Sequence, residues 1–322
     1  MPIPDFAGLR VLVTGGAGFI GSHLVDALVE RGARVRVLDD LSSGSVDNLA
    51  HHGDAVELQR GDIRDVEACR RACDGVTWVF HLAALGSVPK SLEDPATTIA
   101  INVAGSANVF AAAREAGVRR TVYASSSSVY GDSTALPSRE GHEGAPLSPY
   151  ALSKAMTEQL AASFARNSGQ ELVGLRFFNV FGPRQSPEGP YAAVIPRFLA
   201  AAHSNRPMEI HGDGEQTRDF AYVGDAVEAA LLAAGAPSQA CSAAYNVAGG
   251  ERVTMNELAA RLAALVNSSA PPRHVALRPG DIRHSFADLT AAREKLGYAP
   301  RVPLGEGLDR LWLACTAAEP YA

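Results

Sequence analysis

Tyr150 and Lys154 stand four residues apart in Ser148-Pro149-Tyr150-Ala151-Leu152-Ser153-Lys154. Ser148 suits a helix N-cap and Pro149 a first helical position, so the phenol and the ammonium fall on one helix face. A phenol with a pKa of about 10 is a weak base near neutrality. A neighbouring cation stabilises the phenolate and brings it toward the range where it can take and return a proton. Ser126, within the serine run 125–128, could hydrogen-bond an oxygen that loses its proton; from the residue types alone Ser127 would serve as well. Tyrosine and lysine at this spacing are common in helices without any function, so the pair needs a second signal.

Gly15-Gly16-Ala17-Gly18-Phe19-Ile20-Gly21 supplies it. An apolar run precedes this segment and a helical pattern follows. Gly15 then permits a tight turn, Gly18 a close backbone approach, and Gly21 the packing of helix on strand, with the helix N-terminus offering N–H groups to a pyrophosphate. Asp39, at the end of the next apolar run, can accept from both hydroxyls of an adenosine ribose and would repel a 2′-phosphate, which favours NAD over NADP. Asp62, in Gly61-Asp62-Ile63, falls where an adenine should lie, with a helix N-cap as the alternative.

Parallel strands and crossover helices must position these residues. Segments 9–14, 34–39, 56–59, 78–82, 121–125 and 172–177 read as strands, and 20–31, 100–116 and 149–167 as helices between them. Such alternation implies a doubly wound parallel sheet, with Ser126 at its carboxyl edge where ligands bind. After Gly182 the pattern changes. Residues 183–190 read as a loop; helices are expected at 225–234, 255–266, 289–296 and 304–315, and strand-like runs at 244–247 and 274–277. We expect an α/β fold with a Rossmann domain at 1–182, taking in about 222–250, and a smaller C-terminal α/β substrate lobe at 183–322. The cleft between them is a natural ligand site.

Composition narrows the function classes. The chain has 322 residues, 47% apolar and 20% charged, as in an ordinary globular enzyme. A net charge of −6 with interspersed signs gives no nucleic-acid footprint. No apolar run reads as long enough to cross a membrane and no signal peptide is evident, so a cytoplasmic setting is expected. Cys69, Cys73, Cys241 and Cys315 form no zinc pattern with the histidines, and free thiols with no bound metal are expected.

These motifs resemble the extended short-chain dehydrogenase/reductases over nearly the whole chain. Within that superfamily the chain is most similar to the UDP-hexose 4-epimerases, and among those to the UDP-N-acetylglucosamine 4-epimerases. The carrying segments are 13–21, His81-Leu82-Ala83-Ala84, 125–131, Tyr150–Lys154, Arg176-Phe177-Phe178-Asn179-Val180-Phe181-Gly182-Pro183 and Arg218-Asp219-Phe220. The resemblance implies Ser126, Tyr150 and Lys154 as the catalytic residues, with Ser127 touching the sugar. It places Phe19, Ile20, Asp39, Asp40, Ser43, Asp62, Ile63, Leu82, Ala83, Ala84, Asn102 and Phe177 around a tightly bound, recycled NAD. Gly86, Ser87, Asn179, Gln185, Ala193, Val194, Arg218, Arg278, Asp281 and Ser285 would meet the UDP-sugar. Of these, Arg218 and Arg278 would hold the diphosphate, which suits guanidinium forks. Asp281 would orient Arg278 or bind a ribose hydroxyl.

The resemblance further implies inversion at C4 through a transient 4-keto sugar, with Tyr150 moving the O4 proton. Ser285 aligns with a gate that is tyrosine in enzymes restricted to plain hexoses, so an N-acetylated substrate fits, with UDP-glucose and UDP-galactose also accepted. The alternatives are a UDP-uronate 4-epimerase, a nucleotide-sugar dehydratase or decarboxylase, and a non-catalytic NAD-binding scaffold. Dehydratases usually carry an Asp-Glu pair where this chain has Ser126-Ser127-Ser128. Alanine- and serine-rich helices at 100–116 and 149–167 are expected to pair two copies into a homodimer, and supply of polysaccharide precursors is the expected role.

Overall fold

The structure is a computed structural model that describes residues 2–187, 192–277 and 282–317. In chain order the strands are β1 Arg10–Thr14, β2 Arg34–Asp39, β3 Val56–Arg60, β4 Trp78–His81, β5 Arg120–Ser126, β6 Glu171–Phe177, β7 Val180–Phe181, β8 Glu209–His211, β9 Thr217–Asp219, β10 Ala221–Tyr222, β11 Ala243–Val247, β12 Arg252–Thr254 and β13 Arg273–Val275. The helices are α1 Phe19–Glu30, α2 Val66–Cys73, α3 Val88–Glu93, α4 Pro95–Ile99, α5 Ser106–Glu115, α6 Pro149–Ser168, α7 Val194–His203, α8 Val223–Ala234, α9 Met255–Val266, α10 Thr290–Leu296 and α11 Leu304–Ala317.

Seven strands form one sheet in the order β11-β6-β5-β4-β1-β2-β3, parallel throughout. The central strands are apolar on both faces, because helices cover both: Val11, Leu12 and Val13 of β1 are fully buried. The order reverses at β1, flanked by β2 and β4, so the loops after β1 and β4 diverge at a switch point where ligands enter.

A second core lies outside the sheet, where Ile195, Phe198 and Leu199 of α7 pack on Leu258 and Leu262 of α9 and on Leu304 and Leu308 of α11. Here the structure differs from the boundary expected at residue 183. Leu289, Ala292, Leu296 and Tyr298 bury their apolar stripe in the core of the sheet, beside α8, so α10 packs with the first domain. Asp219 fastens the two regions: its Oδ1 accepts from Gly249 and Gly250 N–H at 2.9 and 3.0 Å, and its Oδ2 from Ala287 N–H at 3.3 Å. A correction concerns apolar length. The helical run Pro95–Glu115 does reach bilayer length with a mean hydropathy of 1.3. It also buries Asn102, Ser106, Val109, Phe110 and Ala113 against the fold, as a core-facing helix does.

Candidate active site

The loop from β1 into α1 is shaped by steric necessity. Gly15 has φ +72°, and a Cβ there would lie 2.7 Å from Ala83 N. A Cβ on Gly21 would lie 2.1 Å from Gly15 O, and one on Gly16 2.7 Å from Val37 Cγ2, so Gly16 joins the glycines that sequence spacing singles out. Gly18 is the N-cap of α1 and offers no side-chain acceptor to the first turn, where Phe19 and Ile20 stand. An uncapped N-terminus over a side-chain-free cradle fits a pyrophosphate.

Asp39 ends β2, 7% exposed. Its Oδ2 accepts from Ala17 N–H and its Oδ1 from Leu41 N–H, both at 2.9 Å, which fixes the carboxylate beside the glycine loop. Burial pushes its pKa up against the pull of these N–H groups. Asp40 and Ser43 are exposed on the following loop, where Asp40 accepts from Ser42. Asp62 is held by Arg64 through Nε and Nη2 at 2.5 to 3.1 Å; the helix it precedes is capped by Asp65, so the N-cap alternative for Asp62 falls. Ile63 buries its side chain near Gly105, and its carbonyl accepts from Asn108, so only its backbone can border an adenine.

Asn102 is held inside the fold by its own hydrogen bonds. Only 1% exposed, it sits in a π-helical turn, Ala100–Gly105, that joins α4 to α5. Its Oδ1 accepts from Leu85 N–H at 2.8 Å, and its Nδ2 donates to Leu85 O and Ser153 Oγ. The amide thus anchors the loop that carries Leu82, Ala83 and Ala84, while Oδ1, with one donor, keeps a second lone pair. At the head of this loop, His81 is buried between Thr14 Oγ1, 2.7 Å from Nδ1, and Ser106 Oγ, 2.9 Å from Nε2. Ser106 donates to Asn102 O, so its oxygen accepts from Nε2–H, and Nδ1 accepts from Thr14. Further on, Gly86 is exposed with open space where a Cβ would stand. Ser87 caps α3 by accepting from Lys90 N–H.

The proton-transfer groups converge at the carboxyl edge of β5. Ser126 Oγ accepts from Ser128 N–H at 3.1 Å and hydrogen-bonds the Tyr150 hydroxyl. Ser127 is half-buried beside it, and Phe177 is half-buried at the end of β6. Lys154 Nζ donates to Ala124 O at 2.9 Å and lies 6.0 Å from the Tyr150 ring centroid. Burial lowers the Lys154 pKa to about 8, with Glu158 opposing. Sequence reasoning has the ammonium draw the Tyr150 pKa down. In the chain alone the reverse holds: burial raises it, and Ser126 is the group that resists. The ammonium, anchored on a carbonyl, is too distant to outweigh desolvation.

A cavity of about 240 Å³ opens beyond Asn179, lined by Gln185, Ala193, Val194, Gln216, Arg218 and His211 among others. Sequence reasoning missed Gln216 and His211; the place of Gln216, two before Arg218, was the available signal. Three buried polar atoms along this wall have no protein partner: Gln185 Oε1, Gln216 Oε1 and His211 Nε2. Each amide nitrogen donates to a backbone carbonyl, of Val180 and His211 respectively, which fixes both amides with their oxygens as acceptors. His211 Nδ1 likewise lies 2.9 Å from Ala276 O, leaving Nε2 as an acceptor in the neutral ring. The cavity therefore asks for a ligand with N–H or O–H donors, such as a base and a ribose. Asn179, exposed, donates to Asp219 O at 3.0 Å, and Arg218 Nη1 donates to Thr217 O at 2.9 Å. Ser285 is half-buried, its N–H bonded to Thr217 O at 3.0 Å, one residue from Arg218. Arg278 and Asp281 lie outside the described residues.

Comparison with known proteins agrees with this geometry. Residues 11–248 match the model of the NAD dependent epimerase/dehydratase family. The chain is 40% identical over 306 residues to a UDP-glucose 4-epimerase of Mycolicibacterium smegmatis, covering 94% of this chain and 97% of that one. Among solved structures, a UDP-glucose 4-epimerase of Thermotoga maritima with UDP-glucose superposes with a TM-score of 0.91 at 37% identity, covering 96% and 99% of the two chains. A UDP-N-acetylglucosamine 4-epimerase of Methanobrevibacter ruminantium in complex with UDP-N-acetylmuramic acid gives 0.92 at 36%, covering 97% and 100%. Nucleotide-sugar decarboxylases and dehydratases match as well.

Proposed function

Since the chain belongs to the NAD-dependent epimerase/dehydratase family, we propose that it inverts C4 of a UDP-linked hexose and accepts one bearing a 2-acetamido group. The cofactor is NAD. The cradle of Gly15, Gly18 and Gly21, the uncapped α1 and the Asp39 carboxylate fit it. When bound, NAD supplies a reversible hydride acceptor at C4. The protein's own groups do the rest. Tyr150 takes the proton of the sugar O4 and returns it, Ser126 holds that oxygen through the same hydroxyl network, and Lys154 keeps a positive charge beneath the site. Arg218 and the acceptor-lined cavity tether the UDP moiety, so the hexose can turn about its link to the diphosphate and present either face.

The observation that carries epimerisation over its rivals in the family is the hydroxyl-only strip beside Tyr150. Ser126, Ser127 and Ser128 bring no carboxylate to work at C5 or C6. The nearby Glu158 is committed to Arg176 Nε and Nη2 at 2.9 and 2.7 Å and to Ser125 Oγ. Elimination and decarboxylation would need an additional acid or base there. The small Ser285 and the open space at Gly86 support room for an acetamido group. Initial rates with UDP-N-acetylglucosamine, UDP-glucose and UDP-glucuronate, for the wild type and Ser285→Tyr, test this. We expect the variant to lose at least about tenfold on the acetamido sugar alone, the scale of a steric exclusion. Equal loss on all substrates would remove Ser285 as a gate. A wild type that favours UDP-glucose or UDP-glucuronate would overturn the acetamido reading.

A further inference from the structure

Further along α1 from the glycine loop, Asp26 meets His51 and His52, which lie in a short 3-10 segment, Ala50–Ala55. His52 Nε2 is 2.7 Å and His51 Nε2 3.0 Å from the same oxygen, Asp26 Oδ1. Consecutive side chains usually diverge. Here the two rings lie 3.9 Å apart at 41° and turn the same nitrogen to one point. The His52 side chain is 9% exposed and that of Asp26 21%, while that of His51 is 51% exposed, so two donors are walled in and the third faces solvent.

We infer that Asp26, His51 and His52 form a binding site for one divalent transition-metal ion, of which Zn²⁺ is the type, with solvent completing its coordination. Two imidazole nitrogens and one carboxylate oxygen suit Zn²⁺ and its neighbours, whereas Mg²⁺ and Ca²⁺ take oxygen ligands. The three donor atoms lie within 4.8 Å of one another. With metal–ligand bonds of about 2.0–2.2 Å, tetrahedral ligands stand roughly 3.3–3.5 Å apart. His51 Nε2 must therefore withdraw from Oδ1 by about 0.3–0.5 Å and His52 Nε2 by about 0.6–0.8 Å, each neutral ring then carrying its proton on Nδ1, which needs no new fold. The other carboxylate oxygen, Oδ2, accepts from Arg184 Nη2 at 2.7 Å, the kind of outer hydrogen bond that orients a metal-bound carboxylate. Burial raises the Asp26 pKa, but Arg184 and the two imidazoles outweigh it and hold the carboxyl below its ordinary value, so the ligand is ionised. No sequence motif betrays the site, since Asp26 stands 25 residues before His51.

The ion would bind the native chain through ligands from two separate segments, and would therefore stabilise the fold without entering the reaction. The test uses tag-free, NAD-loaded enzyme stripped with chelator and titrated with Zn²⁺ by calorimetry, with Co²⁺ absorption as a second reading. We expect one ion per chain and a Tm that rises with Zn²⁺. We also expect at least a tenfold weaker affinity in His52→Gln and in His51→Ala, with UDP-sugar turnover unchanged. His51 is exposed, so its variant keeps the test open should His52→Gln fold poorly. No stoichiometric binding, or equal affinity in the wild type and both variants, would overturn the site and leave two imidazoles simply hydrogen-bonded to Asp26.

Discussion

A phenol that burial makes less acidic cannot act as a base at neutral pH by itself. Tyr150 is in that position: desolvation raises its pKa, the hydrogen bond with Ser126 opposes it, and Lys154 is anchored on Ala124 O. Its ionisation must then depend on a positive charge that arrives with the cofactor. The phenolate absorbance that is lost in Tyr150→Phe should accordingly appear at lower pH with NAD⁺ bound than with NADH bound. Identical titrations in the two redox states would show that the cofactor charge does not set this pKa. The same variant should lower kcat on the order of 10³-fold while leaving NAD bound, the scale of one acid–base group. Near-normal turnover would remove Tyr150 as the base.

The elements place these residues through groups that touch no substrate. Gly21→Ala puts a methyl 2.1 Å from Gly15 O, backbone that cannot swing away. The helix must shift off β1, and we expect about 1–3 kcal/mol lost in stability and an NAD affinity at least tenfold weaker; unchanged NAD content after gel filtration would argue otherwise. His81 closes β4, and burial holds its pKa at about 3, with the Lys154 charge adding to the effect. The unfolded chain takes up this proton near pH 6.5 and the folded one only near pH 3, so between those values the unfolded state binds more protons. The stability His81 contributes is thus full above pH 6.5 and is lost on acidification, by about 1.4 kcal/mol per pH unit. Urea unfolding at several pH values in this window should give a shallower pH slope for His81→Asn, and parallel slopes would refute the assignment.

How far sequence reached is clearest in this layer. The glycine turn and Asp39 are legible because local stereochemistry demands them, and the strands of the sheet because most of them are buried apolar runs; the edge strand β3 is the exception, polar and largely exposed. The short strands β7 to β10 and helix α7 were not anticipated. Two- and three-residue strands carry no period, and α7 follows a loop whose composition masks it.

At the scale of the whole molecule, several apolar side chains among the described residues stay exposed on one face. Leu152 and Met156 of α6 are 45% and 36% exposed, one turn apart on one face, and Val88 and Leu92 of α3, the helix packed beside α6, are 40% and 64% exposed. Grouped apolar exposure of this kind marks an interface more often than isolated leucines do. The expected homodimer would then form through α6 and its neighbours, placing the contact on the same helix that carries Tyr150 and Lys154 at its N-terminal end. Helix α6 would be held from both sides, by β5 and the Asn102 turn within the subunit and by the second copy outside it. Charging this face with Leu152→Glu and Met156→Glu should convert a dimer into a monomer in sedimentation velocity. It should also lower turnover more than it lowers NAD binding, because the glycine loop and Asp39 stand on other elements. A wild type that sediments as a monomer would remove the dimer, and a doubly charged variant that remains dimeric would place its contact elsewhere.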